Sequence, residues 1–263
     1  MKIIIFNVKY SDNLGDGVIA ECIEKTLESS FKNCTVKSVD MSGRENFGTV
    51  GAISSISSSN FILSVLRIFY NVLPSLVKEK LFVRVSAKII EKHLKPRWAQ
   101  EVESSDIVII GGGQIFSDKL LYFPLRLSQL SKVLKAKSKP AAIYGVGVNE
   151  NFDKKSLRLF TSLTNYKNLF FVSVRDKDSR HSWERNFDKI EPRFTRDPAL
   201  LVADVYKESI DKNDSTYDTK VIGISVMQNK GKAGLLSNEE LYYELGLKLG
   251  KMRLSPRCEI IAV

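Results

Sequence analysis

Four short segments of this 263-residue chain combine residue types that suit chemistry on a small anion or a sugar. They are Asn13-Leu-Gly-Asp16-Gly17, the triplet Gly111-Gly112-Gly113 with Gln114 after it, Gly145-Val-Gly147, and Arg175-Asp176. In the triplet three side chains are missing where the backbone turns. Its N–H groups can therefore approach an anion closely, while Gln114, Ser117 and Asp118 suit a hydroxylated ligand. The same glycines also fit a tight strand-to-loop turn that binds nothing. Asp16, beside Asn13, can accept a hydrogen bond from a sugar hydroxyl or act as a base; Asp12 or Asp16 can equally do no more than cap a helix. Arg175 can grip a carboxylate or phosphate with both arms, which lysine does less well. The alternative spends it on a structural pair with Asp176 or Asp197.

Several other chemistries lose their footing. Neither 111–116 nor 13–17 reads G-x-G-x-x-G, and G-x-x-x-x-G-K-S/T is absent, which argues against NAD and P-loop chemistry. His93 and His181 are the two histidines, and Cys22, Cys34 and Cys258 are scattered without ligand spacing, so no metal site is expected. The odd cysteine count fits a reducing compartment. Ser179 lacks the G-x-S-x-G elbow of a serine hydrolase. Forty Lys plus Arg against thirty Asp plus Glu leave +10, which favours acidic partners. Nucleic acid is not expected among them, since no helix-turn-helix and no aromatic-lined sheet face is legible.

The elements that must position these segments alternate regularly. Residues 2–8 form an almost unbroken β-branched and aromatic run, the pattern of a strand covered on both faces of a parallel sheet. A polar loop then opens a helix from about 16 to 28, and 35–39 supplies a second strand. Further on come strands at 106–110, 141–144, 170–174 and 193–195, with helices at 122–135, 154–166 and 176–187. This alternation predicts an open, mostly parallel α/β sheet with helices on both faces. Ligands of such sheets bind outside the carboxyl ends of the strands, where all four segments fall. The chain is expected to divide into an N-terminal α/β domain, 1–203, and a linker with an incomplete second α/β domain, 204–263. The latter would hold strands at 221–227 and 259–263 and a helix at 237–251.

Between the second and third strands lies a long excursion. Residues 42–60 read as a Ser/Gly-rich loop, and 61–73 and 75–94 as two helices separated by Pro74. The second helix carries Lys78, Lys80, Arg84, Lys88, Lys92 and, just after it, Lys95. The apolar run 61–77 is broken by Arg67 and Pro74 and falls short of the roughly 20 residues of a spanning helix. It suits instead a lid, a membrane-surface contact, a core element or a contact between copies in a homo-oligomer. Residues 1–8 read as a strand rather than a leader, so a cytoplasmic location is expected.

Six segments in this order resemble the polysaccharide pyruvyl transferase family: Asn13 to Asp16, Asp106 to Gly113, Gly145 to Gly147, Ser173 to Ser179, Asp197 to Leu200 and Ile222 to Ser225. The likeness runs over about residues 1–228. It implies a two-domain fold similar to GT-B glycosyltransferases, with the active site between domains. The implied activity is transfer of the pyruvyl unit of phosphoenolpyruvate to sugar hydroxyls, which gives a pyruvate ketal on a bacterial polysaccharide or its lipid-linked precursor. Phosphoenolpyruvate is then a donor substrate and no cofactor is needed. Arg175 resembles the arginine that helps hold the donor's anionic groups, with Asp16 and Arg175 as the catalytic pair. Asn13, Asp16 and the triplet Gly111, Gly112 and Gly113 resemble the acceptor side of the cleft, and Gln114, Gly145 and Gly147 at the neighbouring strand ends are expected to complete the substrate site.

The sequence also departs from the family pattern. Gly17 stands where Glu is common, and the chain ends before the basic and histidine motif usual in the second domain, which is thought to contribute the proton donor. Alone, the chain is therefore expected to transfer little pyruvyl unit. Two alternatives stay open: a noncatalytic sugar-binding or assembly component, and a GT-B-like glycosyltransferase that uses a nucleotide sugar.

Overall fold

The computed structural model describes residues 1–49, 75–207, 220–224 and 258–262. Two units are distinguished by their internal contacts, Met1–Val205 and Tyr206–Val263.

The first unit is built on six parallel strands: β1 (Lys2–Asn7), β2 (Thr35–Asp40), β3 (Ile107–Gly111), β4 (Ala141–Val146), β5 (Leu169–Val174) and β6 (Arg193–Phe194). Their order across the sheet is β2-β1-β3-β4-β5-β6. The chain therefore runs outward from β1 to β2 and then returns across β1 to start β3. The order reverses between β1 and β3, and the crevice at their carboxyl ends is where an open α/β sheet binds ligands. β1 is central, and Ile3, Ile4, Ile5 and Phe6 are all buried, as its unbroken apolar run predicts.

Alternate side chains feed two cores of unequal size. On one face Ile4, Phe6, Val108 and Ile110 join a large cluster with Trp98, Leu130, Phe160 and Trp183. These come from α3 (Lys95–Glu103), α4 (Tyr122–Lys137), α5 (Lys154–Thr164) and α6 (Lys177–Asn186). On the other face Ile3, Ile5 and Ile109 meet Ile19 and Ile23 of α1 (Leu14–Ser30), with Ala199 of a 3-10 turn, Pro198–Leu201, packed against them. Both faces are thus covered by helical structure.

Boundaries moved where capping or backbone chemistry overrides apolar periodicity. α1 begins at Leu14 rather than near Asp16, because Asn13 caps it. The helix expected to stop at 94 continues: α2 (Ser75–Ile89) runs through a π-helical turn, Ile90–Leu94, into α3. The Lys95 N–H bonds to Ile90 O, and Pro96, which lacks an N–H, sits in the first turn of α3 where none is needed.

In the second unit β7 (Lys220–Ile224) and β8 (Cys258–Ala262) form a parallel pair, Lys220 opposite Cys258 and Ile224 opposite Ala262. The helices expected at 61–73 and 237–251, residues 50–60 of the serine-rich loop and 208–219 of the linker lie outside the described residues. So do 225–227 and 263, at the ends of the two strands expected there. Among the described residues no helix is long and apolar enough to cross a membrane.

Candidate functional site

The carboxyl ends of β3, β4 and β5 are stitched into one rim by backbone hydrogen bonds. Gly112 N donates to Tyr144 O (3.0 Å), Gly147 N to Gly113 O (2.9 Å) and Arg175 N to Val146 O (3.1 Å). Below the rim Phe116 packs against Phe160 and Trp183, with ring centroids 5.0 and 5.1 Å away. This aromatic anchor fixes the loop that carries Gln114, Ser117 and Asp118.

Each glycine of the rim has its own steric reason. A Cβ on Gly111 would lie 2.5 Å from Tyr144 O, and one on Gly112, where φ is +79°, 2.4 Å from a methyl of Ile19. Those two glycines are thus required by packing whether or not a ligand is present. At Gly113 (φ +72°) a Cβ would stand 3.2 Å from Asp16 Oδ1, so its bare Cα faces the carboxylate across the β1–β3 crevice. Gly145 (φ +59°) lies against Pro198. Gly147 leaves room for two side chains, because a Cβ there would fall 2.0 Å from Gln114 Oε1 and 2.9 Å from Arg175 Nε.

Arg175 sits at the centre of a polar network and is one quarter exposed. Its Nη1 donates to Asp197 Oδ2 (3.0 Å) and its Nη2 to Gln114 Oε1 (2.8 Å), while Nε lies 3.4 Å from Asp176 Oδ2. The structural pair with Asp176 and Asp197, weighed above as the alternative to ligand binding, is therefore formed. A guanidinium has five N–H groups, and these three contacts leave two of them for a carboxylate or phosphate. The partners are themselves held. Asp197 Oδ1 accepts from Ala199 N at the start of the 3-10 turn, and Asp176 Oδ1 from Ser179 N at the cap of α6.

On the β1 side Asn13 is the residue that caps α1, its Oδ1 accepting from Gly15 N at 3.3 Å. Neither flanking aspartate caps the helix. Asp12 pairs with Arg44 (3.1 Å), and Asp16 Oδ2 accepts the Ser11 hydroxyl (2.6 Å). Asp16 is half-buried and Asn13 exposed, so the carboxylate faces the crevice and Asn13 stands at its outer lip.

Asn149 is a member of the network that the sequence reading passed over. Its Oδ1 accepts from Gln114 Nε2 (3.0 Å), and its Nδ2 reaches Ser117 Oγ (3.3 Å) and Asp118 Oδ1 (3.4 Å). Its position two residues after Gly147 was the available signal. Asp118 Oδ2 in turn accepts from Asp153 N, at the cap of α5. Burial alone would raise the Asp153 carboxyl, but hydrogen bonds from the Ser156 hydroxyl and the Ser156 and Lys155 N–H groups outweigh it and, with the Lys155 charge, hold it below its ordinary value.

Two further features lie off this rim. A cavity of about 260 Å³ opens beside β2, lined by Tyr10, Lys37, Arg44, Arg97 and Trp98 among others. Arg126, 2% exposed, donates from Nε to Met41 O (2.9 Å) and from Nη1 to Tyr122 O (3.0 Å), which ties the end of β2 to α4. Burial pulls its guanidinium below the ordinary arginine value. Among the described residues no group of three or more His, Cys, Asp or Glu is placed to hold a metal ion.

The polysaccharide pyruvyl transferase family model matches residues 13–256. No curated protein matches the chain. Among solved structures it is similar to a UDP-N-acetylglucosamine 2-epimerase from Rickettsia bellii at 10% identity and a TM-score of 0.43. That alignment covers 100% of this chain and 62% of the epimerase, so the chain spans less than two thirds of that protein's length. An FMN-dependent NADH-azoreductase from Bacillus anthracis str. Ames Ancestor is similar at 11% identity and a TM-score of 0.29, over 81% of this chain and 97% of that one. With a family match that starts at Asn13 on the lip of the crevice and takes in every strand end of the rim, the chain belongs to the polysaccharide pyruvyl transferase family.

Proposed function

We propose that this rim is the substrate site of a pyruvyl transfer from phosphoenolpyruvate to two hydroxyls of one sugar, in a bacterial polysaccharide or its lipid-linked precursor. The observation that carries the reading is Arg175, held at a strand end with two N–H groups to spare and a ring of hydroxyl-binding groups around it. Arg175 grips a carboxylate or phosphate of the donor. Asp16, Gln114 and Asn149 supply acceptors and donors for sugar hydroxyls, and Asn13 stands at the entrance.

The reaction balances without a cofactor. A proton adds to the methylene carbon of phosphoenolpyruvate, and C2 takes on oxocarbenium character. One sugar hydroxyl attacks C2 and gives up its proton. Phosphate then leaves from C2, and the second hydroxyl closes the ketal, its proton going to the base or the departing phosphate. Asp16, half-buried and accepting from Ser11, suits the base that takes a hydroxyl proton. The donor's negative charge needs more than one cation, since Asp176 and Asp197 already offset Arg175. A two-domain, GT-B-like enzyme belongs to this proposal, as does a cytoplasmic location.

A noncatalytic sugar-binding component is the second reading, favoured by the same two carboxylates on Arg175. Incubation with phosphoenolpyruvate and saccharide acceptors separates them. Phosphoenolpyruvate binding that is lost in Arg175→Ala, with any acceptor-dependent phosphate release also lost in Asp16→Asn, supports the transferase; saccharide binding without phosphoenolpyruvate binding supports the noncatalytic component.

A further inference from the structure

α2 is apolar on two opposite sides, and one of them has no partner among the described residues. Val83, with Ile90 and Leu94 of the π turn, is buried in the large core. On the outer side Val77, Leu81 and Val85 follow one another at four-residue spacing and remain 44%, 43% and 45% exposed. Residues four apart on a helix stack along one face, so the three form a continuous stripe. Lys80, Arg84 and Lys88, also four apart and all exposed, run alongside it. At 100° per residue Arg84 and Lys88 project within about 20° of Val77. The outer surface of α2 is thus an apolar ridge with cations interleaved, along a helix about 22 Å long.

The geometry points to this face as a docking surface for a bilayer rich in anionic lipid. An interfacial helix buries an apolar stripe at the headgroup boundary while its cations meet acidic headgroups. Charge decides the occupant. A second copy of this face would bring two rows of Lys80, Arg84 and Lys88 together in a chain that carries a net +10, which like-charge repulsion opposes. Nucleic acid would satisfy the cations and leave Val77, Leu81 and Val85 against water. An anionic lipid surface satisfies both sets at once. The inference goes beyond the pyruvyl chemistry and does not depend on it, since no residue of the rim takes part.

The test is co-sedimentation of the full chain with phosphatidylcholine vesicles, with and without about one third phosphatidylglycerol. Partitioning is expected to rise at least tenfold with the anionic lipid. Each basic residue at such a surface is worth about fivefold, so Lys80→Glu/Arg84→Glu/Lys88→Glu should abolish binding. Leu81→Ser/Val85→Ser should weaken it about tenfold or more at unchanged charge. The five sites are exposed, and far-ultraviolet circular dichroism should match the wild type. Lys25→Glu/Lys32→Glu/Lys167→Glu alters exposed charge elsewhere and should reduce partitioning far less. Equal partitioning on both vesicles, or equal loss in the control, would overturn the proposal. So would a wild-type dimer that Leu81→Ser/Val85→Ser dissolves while lipid partitioning stays unchanged.

Discussion

Arg175 and Gln114, 61 positions apart in the chain, meet through a 2.8 Å hydrogen bond from Nη2 to Oε1 that ties the end of β5 to the end of β3. Gln114 is exposed and anchored in turn by Asn149, so it positions the arginine without supporting the core. Gln114→Ala should leave the melting temperature within about 2 °C of wild type. Loss of a hydrogen bond to a charged group should weaken phosphoenolpyruvate binding about tenfold. Isothermal titration beside a thermal melt measures both, and unchanged affinity would remove Gln114 from the site.

The rim glycines should divide into two classes on substitution. Gly112→Ala forces a side chain into the left-handed region and into Ile19, two costs that together come to about 2–5 kcal/mol of stability. Gly147→Ala meets only the flexible tips of Gln114 and Arg175, so it should cost under about 1 kcal/mol while it breaks their contact and lowers ligand affinity. Urea denaturation of both variants checks the ordering. A Gly112→Ala protein as stable as wild type would contradict it.

These distinctions mark how far the sequence is legible. The strands are legible because β1, β3 and β5 are apolar runs closed by Gly or polar residues, and the segments that follow the strands mark the ends that the rim joins. The strand order could not be read, since nothing in 2–8 or 106–110 says that β3 joins the far side of β1. Nor could the roles of single glycines, because Gly112 is dictated by Ile19 of α1 and Gly111 by Tyr144 of β4, contacts that exist only after folding. Arg175 was legible as a strand-end cation with carboxylates to pair with. Of its partners Asp197, Gln114 and Asp176, the two carboxylates are suggested by charge, whereas the neutral amide of Gln114, 61 positions away, is brought to it only by the pairing of the strands. Asn149 carries no local signal beyond its place after Gly147.

Asp153 should make stability depend on pH in acid. It caps α5 and, through its N–H, supports Asp118 beneath the rim. Its carboxyl lies below its ordinary value in the folded protein, so its contribution is complete above the unfolded value of about 4 and is lost as pH falls through the folded one. Asp153→Ala should lose about 1 kcal/mol at neutral pH, and the gap to wild type should narrow below about pH 4. Denaturant midpoints at several pH values measure it; a gap of constant size would show that the carboxylate's charge does not contribute.

Titration of the whole chain with phosphoenolpyruvate, against its Arg175→Ala and Arg175→Lys variants, asks whether the rim holds the donor at all. A guanidinium that gives two N–H groups to one anion should lose at least about tenfold in affinity on truncation. Lysine should recover only part of that, as a point charge without the fork. Binding by the wild-type chain that falls in this order, with the fold intact by circular dichroism, is the expected result. Equal affinities across the three proteins would contradict it, and would leave Arg175 as a structural partner of Asp197, Gln114 and Asp176.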